Sequence, residues 1–536
     1  MEIKSELKSC IIKLDWRLIL ILIIYVTIGL FLLVYYQYQI NPDGVGYIHI
    51  AEEYMGGNFY GSVNAYWGPL LSWLLMPFLY FNQSPTSALY STKLLSLIVG
   101  FFTIIGVRQL SYRFEMMEII RSAILLTVVP IILYFSLSVI TPDLLILCIL
   151  VYYFAIIFNP NYSNKLSNGL LCGALGAVAY LGKSFIFTFF IAHFLIMNIF
   201  HYYKYVETKQ RKNVSRNLIL GFLTFLVISG VWVGLISAKD GEFTFGTAGE
   251  YNHDLVGPQS NGYPQLYQGL SAPGEVKNQN QAVKHWSPFT SWSNFNYQLK
   301  LIWANIQHVL SILQYYSYLS ITILIVYLLL FIGLLNRINL YKQKNLQENL
   351  LYPLVTLIIY IGLYMPILVE ERYIWPVYIL LLLMGGYLIN LFFKTELFGE
   401  SNYFGKLRIE NVTKGVILLI FAFSFIIMPF NFLISNLNTG KDIYTLSNTL
   451  ESQYNVHGNV ATNDRLIDTQ YISFYLNTTS YGQAQKNIGD NELQTQLAKY
   501  NIDYYFIWGD SAPHALSGYR EINYGKTNDL RIFTKD

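Results

Sequence analysis

The chain has 536 residues, of which 54% are hydrophobic, 17% aromatic and only 12% charged, whereas average soluble chains carry about 25% charged residues. This composition excludes an ordinary soluble protein and indicates an α-helical, polytopic membrane protein. The net charge of +3 is too small to favour nucleic-acid binding.

Eleven apolar stretches are long enough to cross a bilayer, which takes roughly 17–25 residues. The first lacks a small-residue cleavage site and is interpreted as a retained anchor. A shorter segment, 66–81, is interrupted by glycine and proline and is interpreted as a surface or re-entrant helix. The predicted spans are 17–38, 87–110, 119–139, 143–159, 166–182, 184–203, 216–237, 310–335, 350–368, 372–393 and 413–435.

Basic residues occur in alternate loops along the whole series of spans. Short loops rich in lysine and arginine stay cytoplasmic, so the pattern predicts a cytoplasmic N-terminus and an outer C-terminus in the plasma membrane. The outer loops are then 39–86 and 239–305, and the second is long enough to be functional. Trp286 and Trp292 in that loop are interpreted as interface anchors or, less favoured, as sugar-stacking residues.

Residues 439–536 form a separate unit after the transmembrane domain, 1–438. "GNVATND" and "IDYYFIWGD" are typical of short buried strands, "TQYISFYL" and "NELQTQLAKY" of helices, and "YREINYG" and "LRIFTK" of closing strands. This alternation predicts a small extracytoplasmic α/β domain. No motif with the spacing of a metal site is evident in the chain, and no metal ligand is predicted.

The stretch "NPDGVGYIHIAEEYMGGNFY" follows the first span and contains no lysine or arginine. Asp43 and Tyr47 are four residues apart and would share one face of a helix. Asp43 has two interpretations. It is either a helix cap in a turn sequence or a general base at the mouth of an outer cavity.

Two further outer turns carry charges beside apolar spans. "SVITPDLLI" puts Asp143 at the start of the fourth span, where it either stabilises the helix dipole or serves the same cavity. "YLGKSFIF" puts Lys183 between apolar spans, where it either extends to the interface or binds a phosphate headgroup.

The turn "LVEERYIWP" is the most specific of these signals, because it puts Glu370, Glu371 and Arg372 between two strongly apolar spans. A structural Glu–Arg pair is one interpretation. The other is a phosphate site, since a guanidinium can bind a phosphate through two hydrogen bonds.

These motifs together resemble the GT-C glycosyltransferases, and most of all the protein O-mannosyltransferase family and its bacterial relatives, which include the lipid A aminoarabinose transferases. "PDGVGYIHIAEEYMGGNFY" and "GPLLSW" are similar to the first outer loop of that group. "TPD" at 141–143, "GKS" at 182–184 and "ERYIWP" at 371–376 are similar to its second acidic position, its lysine turn and its "RY…P" motif. The resemblance covers about residues 15–395.

The resemblance implies a GT-C fold with about eleven transmembrane helices and a transferase that uses a polyprenyl-phosphate-linked sugar, usually with inversion. It implies that Asp43 is the general base, assisted by Asp143, and that Lys183 and Arg372 bind the donor phosphate. Tyr47, Glu371 and Tyr373 would support these groups. The acceptor would be a protein, lipid or glycan, and a divalent cation is used by some members of the group and not by others.

Two other functions stay open on the sequence alone. A transporter or flippase of a lipid-linked saccharide would need polar residues at mid-span and related halves, whereas the charges here lie at the outer ends of spans. A non-catalytic envelope protein would carry its function in residues 439–536.

Overall fold

The computed structural model describes residues 15–259, 269–271, 285–335, 344–395, 403–404, 407–509, 516–524, 527 and 529–536. Within these residues the chain is mostly helical. The helices are α1 (Trp16–Tyr36), α2 (Pro42–Met55), α3 (Phe59–Ser62), α4 (Leu70–Leu79), α5 (Pro85–Ser111), α6 (Glu118–Ser138), α7 (Asp143–Ile157), α8 (Ser167–Gly182), α9 (Phe185–Lys204), α10 (Thr208–Asp240), α11 (Ala248–Leu255), α12 (Trp292–Tyr316), α13 (Ser320–Leu335), α14 (Lys344–Gly362), α15 (Trp375–Phe393), α16 (Ile409–Ser435), α17 (Lys441–Tyr454), α18 (Leu466–Leu476) and α19 (Asp490–Lys499).

The strands are β1 (Gly269–Leu270), β2 (Tyr403–Phe404), β3 (Leu407–Arg408), β4 (Asn459–Thr462), β5 (Thr479–Gln483), β6 (Tyr504–Trp508), β7 (Tyr519–Glu521) and β8 (Leu530–Lys535). β2 and β3 form a small hairpin, and the other six strands form one sheet.

Among the described residues, seven helices are long and apolar enough to cross a membrane, and the bent pair of α12 and α13 makes eight if it is one span. Three other predicted spans coincide with shorter apolar helices, α7, α8 and the apolar part of α14. Every predicted span therefore overlaps a helix, and the helical membrane architecture is confirmed. α7 is buried along almost its whole length, so it is shielded by other helices and needs less length than a lipid-facing span.

The predicted span 310–335 is not one straight helix. α12 ends at Tyr316, α13 begins at Ser320, and the two axes differ by 108°. Ser317 lies in extended backbone at the break, and its hydroxyl donates to the Ser424 hydroxyl of α16. The outer loop predicted to reach residue 305 is also shorter, because α12 already begins at Trp292.

Helices α8 and α10 approach each other closely because glycines face one another. A Cβ on Gly173 would lie 2.2 Å from the carbonyl oxygen of Gly221, so any larger residue would push the helices apart. Small residues of this kind let transmembrane helices pack backbone to backbone. The contact lies in the first half of α8, opposite the end that leads into Lys183.

The six-stranded sheet has the order β1-β5-β4-β6-β8-β7, with β4 parallel to both β5 and β6. Side chains alternate between its faces: Phe506 packs with α17 and α18, and Tyr505 packs with α19. The predicted α/β alternation is confirmed, although β1, β5 and α17 were not predicted. The domain boundary at 438 stays a prediction, because β1 comes from the loop before α12 and completes the same sheet.

The sheet unit contacts the C-terminal end of α1 and the residues directly after that helix. Asn438 donates its backbone N–H to the carbonyl oxygen of Tyr35, and the Tyr475 hydroxyl donates to the carbonyl oxygen of Tyr38 at 3.2 Å. Helix α18 also packs against α2 and α5. The unit therefore lies at the same end of the bundle as α2.

Candidate active site

A cavity of about 810 Å³ lies where α2, α7, α9 and the segment before α15 meet. Its wall consists of six parts of the chain, namely 41–47, 66–68, 139–143, 182–188, 243–252 and 363–373, although not every residue of each part is exposed to the cavity. Such a volume is typical of a small-molecule site. The cavity brings together residues that are more than 300 positions apart in sequence.

Asp43 lies in the first turn of α2 and is not the cap of that helix. Asn41 occupies the N-cap, and its side-chain amide instead pairs with the backbone of Ile140, accepting at 2.8 Å and donating at 3.3 Å. The Asp43 carboxylate accepts from Nη1 of Arg372 at 2.7 Å. The cap interpretation of Asp43 is therefore wrong, and the Asn41 bridge ties α2 to the turn that carries Asp143.

Asp143 and Lys183 form a second ion pair on the cavity wall. Oδ1 of Asp143 accepts from Nζ of Lys183 at 2.7 Å, and Oδ2 accepts from the Thr141 hydroxyl at 2.8 Å. The Asp143 side chain is 6% exposed and that of Lys183 is 21% exposed. Burial lowers the pKa of the Lys183 ammonium, and Asp143 opposes that shift.

Arg372 lies between two carboxylates at the start of the turn before α15. Its Nε donates to Glu370 at 2.8 Å, and its Nη1 donates to Asp43. The neighbouring Tyr373 ring has the Lys183 ammonium 3.5 Å from its centre, a cation–π distance. The Arg372 guanidinium carbon lies 5.4 Å from the centre of the same ring, so both cations lie beside one aromatic side chain.

Six of the seven predicted site residues line this cavity: Asp43, Tyr47, Asp143, Lys183, Arg372 and Tyr373.

Glu371 does not line the cavity. Its carboxylate accepts from the Tyr134 hydroxyl at 2.9 Å and from the Trp375 indole at 3.0 Å, and its backbone oxygen accepts from the Tyr316 hydroxyl at 2.7 Å. These three contacts fix the turn that carries Arg372. Glu370, which was not chosen from the sequence, is the glutamate that lines the cavity.

An aromatic wall was also missed by the sequence analysis. The Asn64 side chain accepts from the backbone N–H groups of Tyr66 and Trp67 at 2.7 and 2.9 Å, which fixes both residues in a tight turn. The six-membered ring of Trp67 packs on Gly46 of α2, where a Cβ would lie 2.6 Å from the ring. The signal in the sequence was Asn64 two residues before an aromatic pair.

The tryptophans predicted in the long outer loop do not line the cavity. Trp286 is buried, stacks on His253 and donates to its backbone oxygen at 2.9 Å, so it stabilises the loop. Trp292 is 75% exposed at the start of α12. The loop contributes residues 243–252 to the cavity instead.

Glu250, Asp254 and His285 form a cluster that sequence spacing did not reveal. Their ligand atoms lie within 4.8 Å of one another, and Nδ1 of His285 is 3.2 Å from each carboxylate. Imidazole and carboxylate groups are common ligands of divalent cations. Glu250 also lines the cavity, whereas Asp254 and His285 do not.

Two solved structures of ArnT from Cupriavidus metallidurans match the chain over 95% of its length and 97% of theirs, at 13% sequence identity. One is the apo state, with a TM-score of 0.54, and the other is bound to undecaprenyl phosphate, with a TM-score of 0.53. No protein-family model and no curated protein sequence matches the chain. The fold is therefore the GT-C fold of ArnT, as the resemblance predicted.

Proposed function

We propose that this chain, with its GT-C fold, is a membrane glycosyltransferase that moves a sugar from a polyprenyl-phosphate-linked donor to an extracytoplasmic acceptor. One observation carries the proposal: two acid–base pairs, Asp43–Arg372 and Asp143–Lys183, lie on the wall of the same cavity. An acceptor hydroxyl must lose a proton and a phosphate must leave with its charge stabilised, and this set of residues supplies a group for each task.

The donor phosphate would bind between Arg372 and Lys183. Arg372 uses one N–H group on Glu370 and one on Asp43, so three of its five guanidinium N–H groups stay available for a phosphate. Lys183 adds a second positive charge, 3.5 Å from the centre of the neighbouring Tyr373 ring. That one ArnT structure is bound to undecaprenyl phosphate supports a donor of this class.

Asp43 would act as the general base. The acceptor hydroxyl gives its proton to the Asp43 carboxylate while its oxygen forms a bond to the anomeric carbon of the sugar. The bond from that carbon to the phosphate oxygen breaks, and polyprenyl phosphate leaves with the electron pair. Attack from the face opposite the phosphate inverts the anomeric centre. Arg372 and Lys183 stabilise the charge that develops on the leaving oxygen.

The two ion pairs describe a resting arrangement of the cavity. The phosphodiester anion of the donor competes with Asp43 for Arg372, so donor binding weakens the 2.7 Å contact between those two residues. The base is then released when the donor is in place. Asp143, held by Thr141, keeps Lys183 directed into the cavity, and it orients the acceptor once Lys183 turns towards the phosphate.

The side of the membrane follows from the sequence pattern. Basic residues in alternate loops favour a cytoplasmic N-terminus, which puts the cavity and the sheet unit on the outer side of the plasma membrane. A lipid donor would then keep its tail in the outer leaflet and its phosphate at the headgroup level.

The test is transfer from a labelled undecaprenyl-phosphate sugar in proteoliposomes, with release of undecaprenyl phosphate as the readout. Asp43→Asn should lower turnover by about 10²- to 10⁴-fold, as expected for loss of a general base. Glu52→Gln, on the same helix but outside the cavity wall, should behave like the unmodified chain. If the labelled lipid crosses the bilayer with its sugar intact, and Asp43→Asn has no effect, the chain is a flippase and the proposal fails.

A further inference from the structure

Lys93 is a buried charged residue that the proposed reaction does not use. It lies in α5, is 0% exposed and does not line the cavity. It makes no ion pair in the part of the chain that the structure describes. Its ammonium donates one hydrogen bond, to the backbone carbonyl oxygen of Leu137 in α6 at 2.5 Å.

A lysine in this setting is costly for the fold. Ionisable residues inside membrane helices are rare, usually pair with an opposite charge or face a cavity, and are functional candidates by default. A methionine would fill the same space without burying a charge, and such apolar replacements are often neutral or stabilising. The contact with Leu137 therefore explains the lysine better than a contribution to stability does.

This contact controls how the chain leaves α6. Leu137 is the next-to-last residue of that helix, and its carbonyl group is one of the last four, which have no partner within the helix. A positive charge is favourable at a helix C-terminus. The helix ends at Ser138, and the extended residue Val139 begins the part of the cavity wall formed by residues 139–143.

The same segment is held from another direction by α2. The Asn41 side chain pairs with both backbone groups of Ile140. A Cβ on Gly44 would lie 2.8 Å from the Cβ of Ile140, so α2 packs directly on the segment. The segment is thus fixed by α5 at Leu137 and by α2 at Ile140, and Asp143 follows three residues later.

We propose that Lys93 is a positioning residue for the transfer reaction. By holding the end of α6, it sets the place of Asp143 and, through the 2.7 Å ion pair, that of Lys183. Lys93 acts through Asp143 and not on the substrates, because it is not on the cavity wall. Its effect on transfer rests on the proposed function, whereas its effect on the segment 139–143 can be measured without transfer.

The first test is hydrogen exchange of the backbone N–H groups in residues 139–143 of the full-length chain in detergent. Lys93→Met should raise their exchange rates on the order of ten-fold, the value of one lost hydrogen bond. Thr103→Val, which removes a buried hydrogen bond within α5, is the matched control and should leave these rates unchanged. Unchanged rates in Lys93→Met would overturn the proposal, whether or not the chain transfers sugar.

Thermal unfolding separates positioning from stability. In Lys93→Met the removal of a buried ammonium offsets the loss of its hydrogen bond, so the unfolding temperature should stay close to that of the unmodified chain. Lys93→Gln keeps a shorter N–H donor, and its exchange rates should lie between those of the other two. A variant at Lys93 that fails to fold, or that unfolds at a much lower temperature, would show a residue that serves stability and would contradict the proposal.

The second test is a double-mutant cycle on sugar transfer. Lys93→Met should lower turnover by about 10- to 100-fold, the effect of a displaced catalytic group. In an Asp143→Asn background it should cause no further loss, because residues that act through one another are not additive. Additive losses, or full turnover in a variant whose segment exchanges faster, would overturn the positioning role. If the unmodified chain transfers no sugar, the proposed function fails, and hydrogen exchange still decides whether Lys93 places Asp143.

Discussion

Replacement of Arg372 tests the donor phosphate site most directly. Its guanidinium has five N–H groups, of which Glu370 and Asp43 take one each at 2.8 and 2.7 Å. Arg372→Ala removes the remaining groups that a phosphate would use. It also leaves Asp43, whose side chain is 31% exposed, without its cation.

The expected loss follows from the value of a charged hydrogen bond, which is about 1.5–3 kcal/mol. The dissociation constant of undecaprenyl phosphate should therefore rise by about 10- to 150-fold in Arg372→Ala. The dissociation constant for Arg372→Lys should lie between the values for the unmodified chain and for Arg372→Ala, because an ammonium has three N–H groups and the two carboxylates would occupy two of them.

The assay is equilibrium binding of labelled undecaprenyl phosphate to the purified chain, which reports the phosphate site without any chemical step. Arg531→Ala, which breaks a partly buried ion pair with Glu521 in the sheet, is the control for loss of an arginine elsewhere. Wild-type affinity in a folded Arg372→Ala variant would refute the phosphate site, whatever happens to turnover.

Three further changes test the rest of the cavity. Lys183→Met should destabilise the fold by roughly 2–3 kcal/mol, less than a fully buried pair because Lys183 is 21% exposed; adding Asp143→Leu should restore the unfolding temperature but not sugar transfer, and restored transfer would contradict a role for the pair. Tyr373→Leu should raise the donor KM by about 2- to 30-fold through loss of the cation–π contact, whereas Tyr373→Phe should keep it; equal effects of both would point to the hydroxyl instead. Gly46→Val should displace Trp67 and lower turnover on the order of ten-fold, and unchanged kinetics would mean that the ring has no role in positioning the sugar.

The charged residues of the cavity were predictable because the membrane makes them conspicuous. Asp143 and Lys183 interrupt strongly apolar sequence, and ionisable residues in that setting are costly unless a partner or cavity receives them. The alternation of basic loops then assigned them to one side. Their proximity could be predicted despite their separation in sequence, because each lies at the same end of its span.

The choice between Glu370 and Glu371 depended on side-chain direction in a short irregular turn. Neither residue lies in a helix or strand long enough to have a periodic pattern, so sequence gives no face for either. The Tyr134 hydroxyl and the Trp375 indole donate to the Glu371 carboxylate and decide its direction, and Tyr134 lies 237 positions earlier in the sequence. Contacts of this range are set by tertiary packing.

The bend between α12 and α13 and the strand β1 were hidden for a different reason. The sequence at the bend has neither proline nor glycine, and the Ser317 hydroxyl at the break donates to the Ser424 hydroxyl of α16, more than 100 positions later. β1 has only two residues, too few for any alternation, and exists because β5 offers it an unpaired edge. Local sequence contains neither partner.

The pairing of β1 with β5 links the C-terminal unit to the loop that contributes residues 243–252 to the wall of the candidate active site. Residues 243–252 line the cavity and precede β1 in the same loop. The backbone N–H of Ser271, next to β1, donates to the Tyr481 carbonyl oxygen. A chain shortened at residue 438 would lose β5 and with it the hydrogen bonds that hold β1. The C-terminal unit therefore anchors β1, which belongs to the same loop as residues 243–252 of the cavity wall, without itself lining the cavity.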